Sequence, residues 1–149
     1  MTLLTKLLKP ALITFTLVGS AAIAEEMTVY KSQYCGCCTE WVDQMEDAGF
    51  TLNVINSEYM NDVKNQYGVP TNLRSCHTAI INGFVVEGHV PAADIKKLLA
   101  QNKRMKGIAT PGMPQSAPGM DVPGATDTYQ VVAFNKAGMQ YVYNEYNTK

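Results

Sequence analysis

The pattern of hydrophobic and polar positions predicts four strands in the first two thirds of the chain. The first strand is expected at 27–32, where an apolar, β-branched run ends just before a group of cysteines, and the second at 50–56, which alternates. The stretch 77–88 contains two β-rich runs joined at Asn82-Gly83, a dipeptide typical of two-residue hairpin turns. The third and fourth strands are therefore predicted to form a hairpin.

Three further segments have the period of amphipathic helices. In the first, 39–49, Trp41, Met45 and Ala48 share one face and Gly49 ends the helix. Trp41 is most simply a core residue.

The second and third helices are predicted on either side of the hairpin. Ser57 is expected to cap the second helix, which ends at Gly68 and Pro70, and Pro91 is expected to open the third. The residues predicted to face the core are Met60, Val63 and Tyr67 in the second helix and Ile95, Leu98 and Leu99 in the third.

The order β-α-β-α-β-β-α places a C-x-x-C pair, Cys35 and Cys38, at the first strand-to-helix turn. Pattern and motif position together predict an α/β, thioredoxin-like fold for a metal-binding domain at 25–105.

The rest of the chain differs in composition. Residues 106–127 carry four of the seven prolines, which predicts a Pro/Gly/Met-rich loop that is neither a helix nor a central strand. Residues 128–149 contain a second hairpin that turns at Asn135–Gly138. We expect this hairpin to pack on the main domain, because an isolated hairpin is marginally stable in water.

The N-terminus has the pattern of a cleavable export signal. Lys6 and Lys9 precede the apolar stretch 11–18, and small residues lead to Ala24. We therefore predict that 1–24 is a signal peptide cut after Ala24 and that the protein is periplasmic. The apolar stretch is shorter than the ~20 residues of a membrane span, and no later segment is predicted to span a membrane.

Net charge and cysteine content argue against two classes of protein, nucleic-acid-binding proteins and disulfide-rich scaffolds. The chain has 149 residues, a formal net charge of −1 and four cysteines. This balance does not favour nucleic acid as a partner, and four cysteines are too few for a disulfide scaffold at this length.

Three of the four cysteines, Cys35, Cys37 and Cys38, lie where the first helix is predicted to begin. Backbone N–H groups at a helix N-terminus stabilise thiolates, which attack disulfides and also bind metals. If Cys35 and Cys38 formed a disulfide, Cys37 would be a free thiol beside it and would invite exchange. Adjacent soft sulfurs suit several bridged metal ions, Cu(I) above all.

The segment that enters the third strand carries Cys76 and His77, and His89 follows the fourth strand. In a thioredoxin-like fold this segment lies against the C-x-x-C turn, so we expect Cys76 to join the other three cysteines. His77 and His89 are predicted as further ligands on weaker grounds. Met113 and Met120, in the 106–127 loop, are thioether candidates for Cu(I), although such methionines more often cover a core.

Two other functions remain open at this point. A thiol-disulfide oxidoreductase would use Cys35 as the attacking thiol and Cys38 as the resolving thiol. A structural zinc site of the Cys₃His type is the third interpretation.

Three motifs resemble those of the CopG-type periplasmic copper-resistance proteins: C-G-C-C at 35–38, S-C-H-T at 75–78 and E-G-H-V-P-A at 87–92. The resemblance extends over about residues 27–146. It implies a thioredoxin-like fold and a cysteine-bridged, multinuclear Cu(I) site in copper resistance, with Cys35, Cys37, Cys38 and Cys76 as ligands. It also implies an oxidoreductase activity on copper, which leaves open whether the protein is an enzyme. Its partners would be copper ions and other periplasmic copper-handling proteins.

Overall fold

A computed structural model describes residues 26–101 and 104–148 of the chain. The strands are β1 (Glu26–Lys31), β2 (Thr51–Asn56), β3 (Thr78–Ile81), β4 (Phe84–Glu87), β5 (Gly107–Ala109), β6 (Tyr129–Phe134) and β7 (Gln140–Tyr146). The helices are α1 (Gly36–Asp47), α2 (Met60–Tyr67) and α3 (Ala92–Ala100), with a short 3₁₀ helix at Thr71–Leu73. The predicted export signal, 1–24, lies outside the described residues and stays a prediction.

All seven strands form one mixed sheet in the order β2-β1-β3-β4-β5-β6-β7. The pairs β1–β2 and β4–β5 are parallel, and each is joined through a helix, as parallel neighbours require. The other neighbouring pairs are antiparallel. The protein therefore has an α/β fold, and the predicted order β-α-β-α-β-β-α is confirmed for the first seven major elements.

The hairpin of β3 and β4 turns at Asn82-Gly83, as predicted. Both turn residues have positive φ, 49° for Asn82 and 77° for Gly83, which is the requirement of a type I′ turn. This turn sets the register in which Thr78 pairs with Glu87. The two ends of the hairpin therefore bring the segment before β3 close to the segment after β4.

The prediction that 106–127 contains no central strand is wrong at its first residues. Strand β5 lies between β4 and β6 and is fully buried. Gly107 is required there, since a Cβ at this position would lie 2.2 Å from the Val85 carbonyl oxygen. The prolines that argue against a strand begin only at Pro111, so β5 keeps its backbone donors.

Two helix starts differ from the prediction. Helix α1 begins at Gly36, so the cysteines occupy the N-cap and the first turn. Helix α2 begins at Met60 with Tyr59 at the N-cap, and Ser57 does not cap it. The Ser57 hydroxyl instead accepts the Tyr59 N–H at 3.1 Å, which is a local turn that competes with helix formation.

The main core lies between the sheet and helices α1 and α3. Trp41 is fully buried in it, as predicted, and its indole N–H donates to the Val90 carbonyl at 2.9 Å. Ile95 and Leu98 are buried, whereas Leu99 packs half-buried against the same core. In the described parts of the chain, no helix has the length and apolar character needed to cross a membrane.

Candidate metal centre

The first turn of α1 presents three cysteines at one end of the sheet. The chain leaves β1 and makes a turn in which the Cys35 N–H donates to the Ser32 carbonyl at 3.1 Å. Cys35 is then the N-cap of α1, with Cys37 and Cys38 following inside the helix. The N-terminal backbone N–H groups of a helix carry partial positive charge.

Cys35 and Cys38 form a disulfide, while Cys37 and Cys76 are free thiols. Cys38 is buried, whereas Cys37 is half-buried and its sulfur lies 3.5 Å from that of Cys35. The sequence left the oxidation state of the C-x-x-C pair open, and the structure describes the oxidised one.

Cys76 reaches this turn from the segment that precedes β3. The sulfur atoms of all four cysteines lie within 4.8 Å of one another. The expectation that the distant cysteine meets the other three is thereby confirmed. The strand β3 is the neighbour of β1 in the sheet, which is why a segment about forty residues later in the chain arrives beside α1.

Both histidines face Cys76. His77 Nδ1 is 3.4 Å and His89 Nε2 is 2.9 Å from the Cys76 sulfur. The donor atoms of Cys76, His77 and His89 also lie within 4.8 Å of one another. We call the four cysteines and these two histidines the cysteine–histidine cluster.

The tautomer of His89 follows from its second hydrogen bond. Nδ1 lies 2.8 Å from the Pro118 carbonyl oxygen, and a carbonyl oxygen only accepts, so Nδ1 carries the proton. Burial lowers the pKa of His89, although the Pro118 carbonyl and the Asp121 carboxylate act in the opposite direction. In the neutral ring, the lone pair of Nε2 therefore points at Cys76, as in a metal-binding histidine whose other nitrogen is held by a carbonyl.

His77 is fully buried between two rings. Its ring centre lies 4.4 Å from that of Trp41 and 5.0 Å from that of His89. Burial lowers its pKa well below the usual range, and the charges of His89, Lys64 and Lys31 lower it further. Among the described residues, its Nε2 has no hydrogen-bond partner, which is unusual for a buried polar atom.

The Cys76 thiol holds its proton at neutral pH in the absence of a cation. Burial raises its pKa to about 11, and the nearby charge of Cys37 adds to this effect. A bound metal ion would replace that proton, because the thiolate is the ligand.

The segment after β5 packs on the first turn of α1. Gly119 has φ of 80°, and a Cβ there would lie 2.7 Å from the Trp41 backbone nitrogen and 2.8 Å from the Cys37 carbonyl oxygen. The same contact brings the Pro118 carbonyl to His89. Met113 is 57% exposed and Met120 is half-buried, and their role as copper ligands stays a prediction.

Sequence reasoning missed a buried ion pair beside the cluster. Lys64 of α2 and Glu87, the last residue of β4, lie 2.7 Å apart, and Glu87 also accepts the N–H of Ser75, the neighbour of Cys76. The signal was Glu87 itself, an acid at the end of the apolar run Phe84–Val86. Lys64 had no comparable signal, because a lysine in a helix is normally exposed.

Comparison with protein families matches residues 73–120 to a family described as a protein of unknown function, DUF411. Comparison with curated protein sequences gives no match. The matched range contains Cys76, His77, His89 and both loop methionines, but not the three cysteines of α1.

Two solved structures are similar to the chain over almost their whole length. One, titled "Copper resistance protein copG- Form 2", is 42% identical with a TM-score of 0.79 and covers 82% of this chain and 98% of its own. The other, titled "Copper resistance protein copG- Form 1", is 41% identical with a TM-score of 0.79 and covers 83% and 98%. These two structures cover more of the chain than the 73–120 family match.

Proposed function

The chain belongs to the family of the copper resistance protein CopG, and from that premise we propose that it binds copper as Cu(I) in a multinuclear, cysteine-bridged site. The proposed ligands are Cys35, Cys37, Cys38 and Cys76, with His77 and His89 completing the coordination. The observation that carries the proposal is the convergence of four sulfur atoms within 4.8 Å of one another.

The spacing of the sulfurs is compatible with shared metal ions. A thiolate–metal bond of about 2.3 Å lets two sulfurs on one ion lie up to about 4.6 Å apart, close to the upper limit in the cluster. Soft thiolates favour Cu(I) over the harder biological cations. With three sulfurs in one helical turn, a single thiolate can bridge two ions, so we expect more than one ion per chain.

Copper binding by all four sulfurs requires reduction of the Cys35–Cys38 disulfide. In the reverse direction, the two thiols lose two electrons and two protons as the S–S bond forms, and two Cu(II) ions each accept one electron to become Cu(I). Copper oxidation state and the disulfide would thus be coupled, which is the proposed oxidoreductase activity on copper. Cys76, His77 and His89 keep their donor atoms in either state of the disulfide.

The proposed setting is the periplasm. The predicted export signal at 1–24 supports it, and that compartment is oxidising enough to form the Cys35–Cys38 bond. Other periplasmic copper-handling proteins are the proposed source or recipient of the metal.

The test is an anaerobic Cu(I) titration of the reduced protein, lacking residues 1–24, against a chromophoric Cu(I) chelator. We expect more than one Cu(I) per chain and, by X-ray absorption, sulfur ligands with a short copper–copper distance. The same titration of the disulfide form should give fewer ions. A stoichiometry of zero or one in the reduced protein would contradict the multinuclear site, and a preference for zinc in parallel titrations would support the structural zinc alternative.

A second candidate function is supported by the disulfide itself. Cys35–Cys38 lies at a helix N-terminus, the position used by thiol-disulfide oxidoreductases. This function requires Cys35 and Cys38 but neither Cys37 nor Cys76. Insulin reduction that survives the double variant Cys37→Ser/Cys76→Ser would favour it over copper binding.

A further inference from the structure

The ion pair of Lys64 and Glu87 lies in the interior. Lys64 is 4% exposed and Glu87 is fully buried. The ammonium of Lys64 donates to Glu87 Oε1 at 2.7 Å and to the Thr78 hydroxyl at 3.0 Å. Burying two charges costs solvation energy, and such pairs are often replaceable by apolar residues without loss of stability. The presence of this buried ion pair is therefore not explained by its contribution to stability alone.

The Glu87 carboxylate contacts the backbone that carries Cys76. Oε1 accepts the Ser75 N–H at 2.7 Å, and Oε2 accepts the Thr78 hydroxyl at 2.7 Å. Ser75 immediately precedes Cys76, and Thr78 follows His77. One side chain thus holds the chain on both sides of the two ligand candidates.

The residue after Glu87 adds a second constraint. The Gly88 N–H donates to the His77 carbonyl at 2.9 Å. Gly88 has φ of 72°, and a Cβ there would lie 2.5 Å from the Ser75 side chain. Residues 75–77 are therefore pressed against 87–88 with no space between them.

On the other side, Cys76 borders an open cleft. This cleft has a volume of about 360 Å³, and Lys64, Ser75 and Cys76 contribute to its wall together with residues 58–62. Packing therefore does not stop the 75–76 segment from moving toward α2. The hydrogen bond from the Ser75 N–H to Glu87 opposes this movement, together with the hydrogen bond from the Ser75 hydroxyl to the Gly112 carbonyl and the contact of Cys76 with His89.

We propose that Glu87, held in place by Lys64, is a positioning residue that fixes Cys76 against the three cysteines of α1. Its importance for copper rests on the proposed function, whereas its effect on the Cys76 thiol does not. An apolar pair at these positions would fill the space but could not accept the Ser75 N–H. Lys64 serves to neutralise and orient the carboxylate that does so.

A matched pair of double variants separates positioning from charge. Lys64→Met/Glu87→Gln removes both charges and keeps an oxygen that accepts the Ser75 N–H. Lys64→Met/Glu87→Leu removes both charges and that acceptor. Asp94→Asn is the control, because Asp94 is also a buried carboxylate but receives its hydrogen bonds from Asn144 and Tyr146.

The first readout needs no copper. In a Cys37→Ser background with the Cys35–Cys38 disulfide formed, Cys76 is the only free thiol, since the chain has four cysteines. We expect iodoacetamide at fixed pH to alkylate it about tenfold faster in the Leu double variant than in the Gln double variant, as loss of one buried hydrogen bond allows. The Asp94→Asn protein should react at the unmodified rate.

The second readout is Cu(I) affinity in the reduced protein with all four cysteines. The Leu double variant should bind about tenfold more weakly than the Gln double variant, for the same reason. If the alkylation rates differ as expected but no variant binds copper, the positioning role stands and the copper function fails. Equal alkylation rates in the two double variants, or a rate in Asp94→Asn equal to that of the Leu variant, would overturn the proposal.

A second pair covers the case in which the Leu variant does not fold. Ser75→Pro removes the N–H donor together with the hydroxyl, and its ring carbon takes the place of the amide hydrogen next to Glu87 Oε1, while Lys64 and Glu87 keep their side chains. The preceding Arg74 already has the extended backbone that a following proline requires. Ser75→Ala is its control, because it also loses the hydroxyl but keeps the N–H. Faster alkylation in Ser75→Pro than in Ser75→Ala supports the positioning role, and equal rates contradict it.

Discussion

Two clusters of buried and half-buried polar side chains on this fold differ in how completely their atoms are paired. The Asp94 cluster joins α3 to β7: Asn144 donates to Asp94 Oδ1 at 2.9 Å and the Tyr146 hydroxyl donates to Oδ2 at 2.7 Å. Asn144 also donates to the Tyr146 oxygen at 3.1 Å. Both carboxylate oxygens of Asp94 therefore have a donor, and the cluster needs nothing more.

The cysteine–histidine cluster is incomplete by the same measure. Within the described ranges, the two buried side-chain nitrogen or oxygen atoms without a hydrogen-bond partner are His77 Nε2 and Thr110 Oγ1. His77 belongs to this cluster, and its other ring nitrogen, Nδ1, is the one near the Cys76 sulfur. Two of its sulfurs are free thiols. A complete polar cluster stabilises a packing arrangement, whereas an incomplete one leaves donor atoms for a ligand. The comparison thus separates a structural cluster from a candidate binding site without reference to homology.

The largest expected effects come from substituting one residue in each cluster and measuring both copper binding and stability for the two variants. Cys76→Ser removes one of the four soft donors, so Cu(I) stoichiometry in the anaerobic titration should fall to one or fewer. The free energy of unfolding should change by less than about 1 kcal/mol, because a free, half-buried thiol is replaced by a group of similar size.

Asp94→Asn should give the opposite result. It weakens the charge-assisted hydrogen bonds from Asn144 and Tyr146, which should lower the free energy of unfolding by about 1–3 kcal/mol in urea titrations. Copper stoichiometry should not change. The comparison fails if Cys76→Ser is the less stable protein or if Asp94→Asn loses copper.

An intermediate effect is expected at the contact between the 110–127 segment and α1. In Gly119→Ala, the new Cβ meets the backbone of Cys37 and Trp41, so the Pro118 carbonyl should move away from His89. We expect a loss of about 1–3 kcal/mol of stability, from strain at positive φ together with the clash. The ¹⁵N chemical shifts of the His89 ring should also change, since its tautomer loses the carbonyl that fixes it.

The control for this change is Gly124→Ala. Gly124 has nearly the same φ, 79°, but a Cβ there would meet nothing within 4 Å. Its substitution should cost only the backbone strain and should leave the His89 signals unchanged. If both variants shift the His89 signals equally, the close contact of Gly119 is not what orients the ring.

The smallest effect is the contribution of Tyr129, in the C-terminal hairpin, to the alkaline pH dependence of stability. Burial, followed by the charges of Asp94, Asp121 and Asp127, raises the pKa of Tyr129 from 10.0 to about 12. The folded state thus keeps this proton where the unfolded state releases it, so the contribution to stability is present below pH 10 and is lost as pH rises toward 12. Tyr129→Phe should reduce the pH dependence of unfolding between pH 10 and 12, and should change it little between pH 7 and 9.

Local pattern was enough to predict most of the framework. The turn at Asn82-Gly83 and the cysteines at the start of α1 depend on adjacent residues, and both are confirmed. The arrival of Cys76 at the cluster was also predictable, because in the thioredoxin-like topology predicted from the sequence the segment that enters the third strand lies against the C-x-x-C turn.

What escaped prediction depends on contacts between distant segments. Strand β5 lies in a proline- and glycine-rich stretch, and only its pairing with β4 and β6 makes it a strand. Lys64 is buried because its ammonium donates a hydrogen bond to Glu87, 23 residues away. The periodicity of a helix does not reveal such a distant partner. The state of the Cys35–Cys38 pair depends on redox conditions, which the sequence does not encode.

The oxygen that fixes the His89 tautomer belongs to the main chain of Pro118. Every amino acid supplies this atom, so exchanging the side chain at 118 leaves the acceptor in place. Inserting or deleting a residue between β5 and Pro118 would instead move this oxygen out of hydrogen-bond distance of His89 Nδ1. The length of this connection, more than its composition, therefore determines the tautomer of His89. A change in the number of its residues should disturb the ring more than a substitution within it.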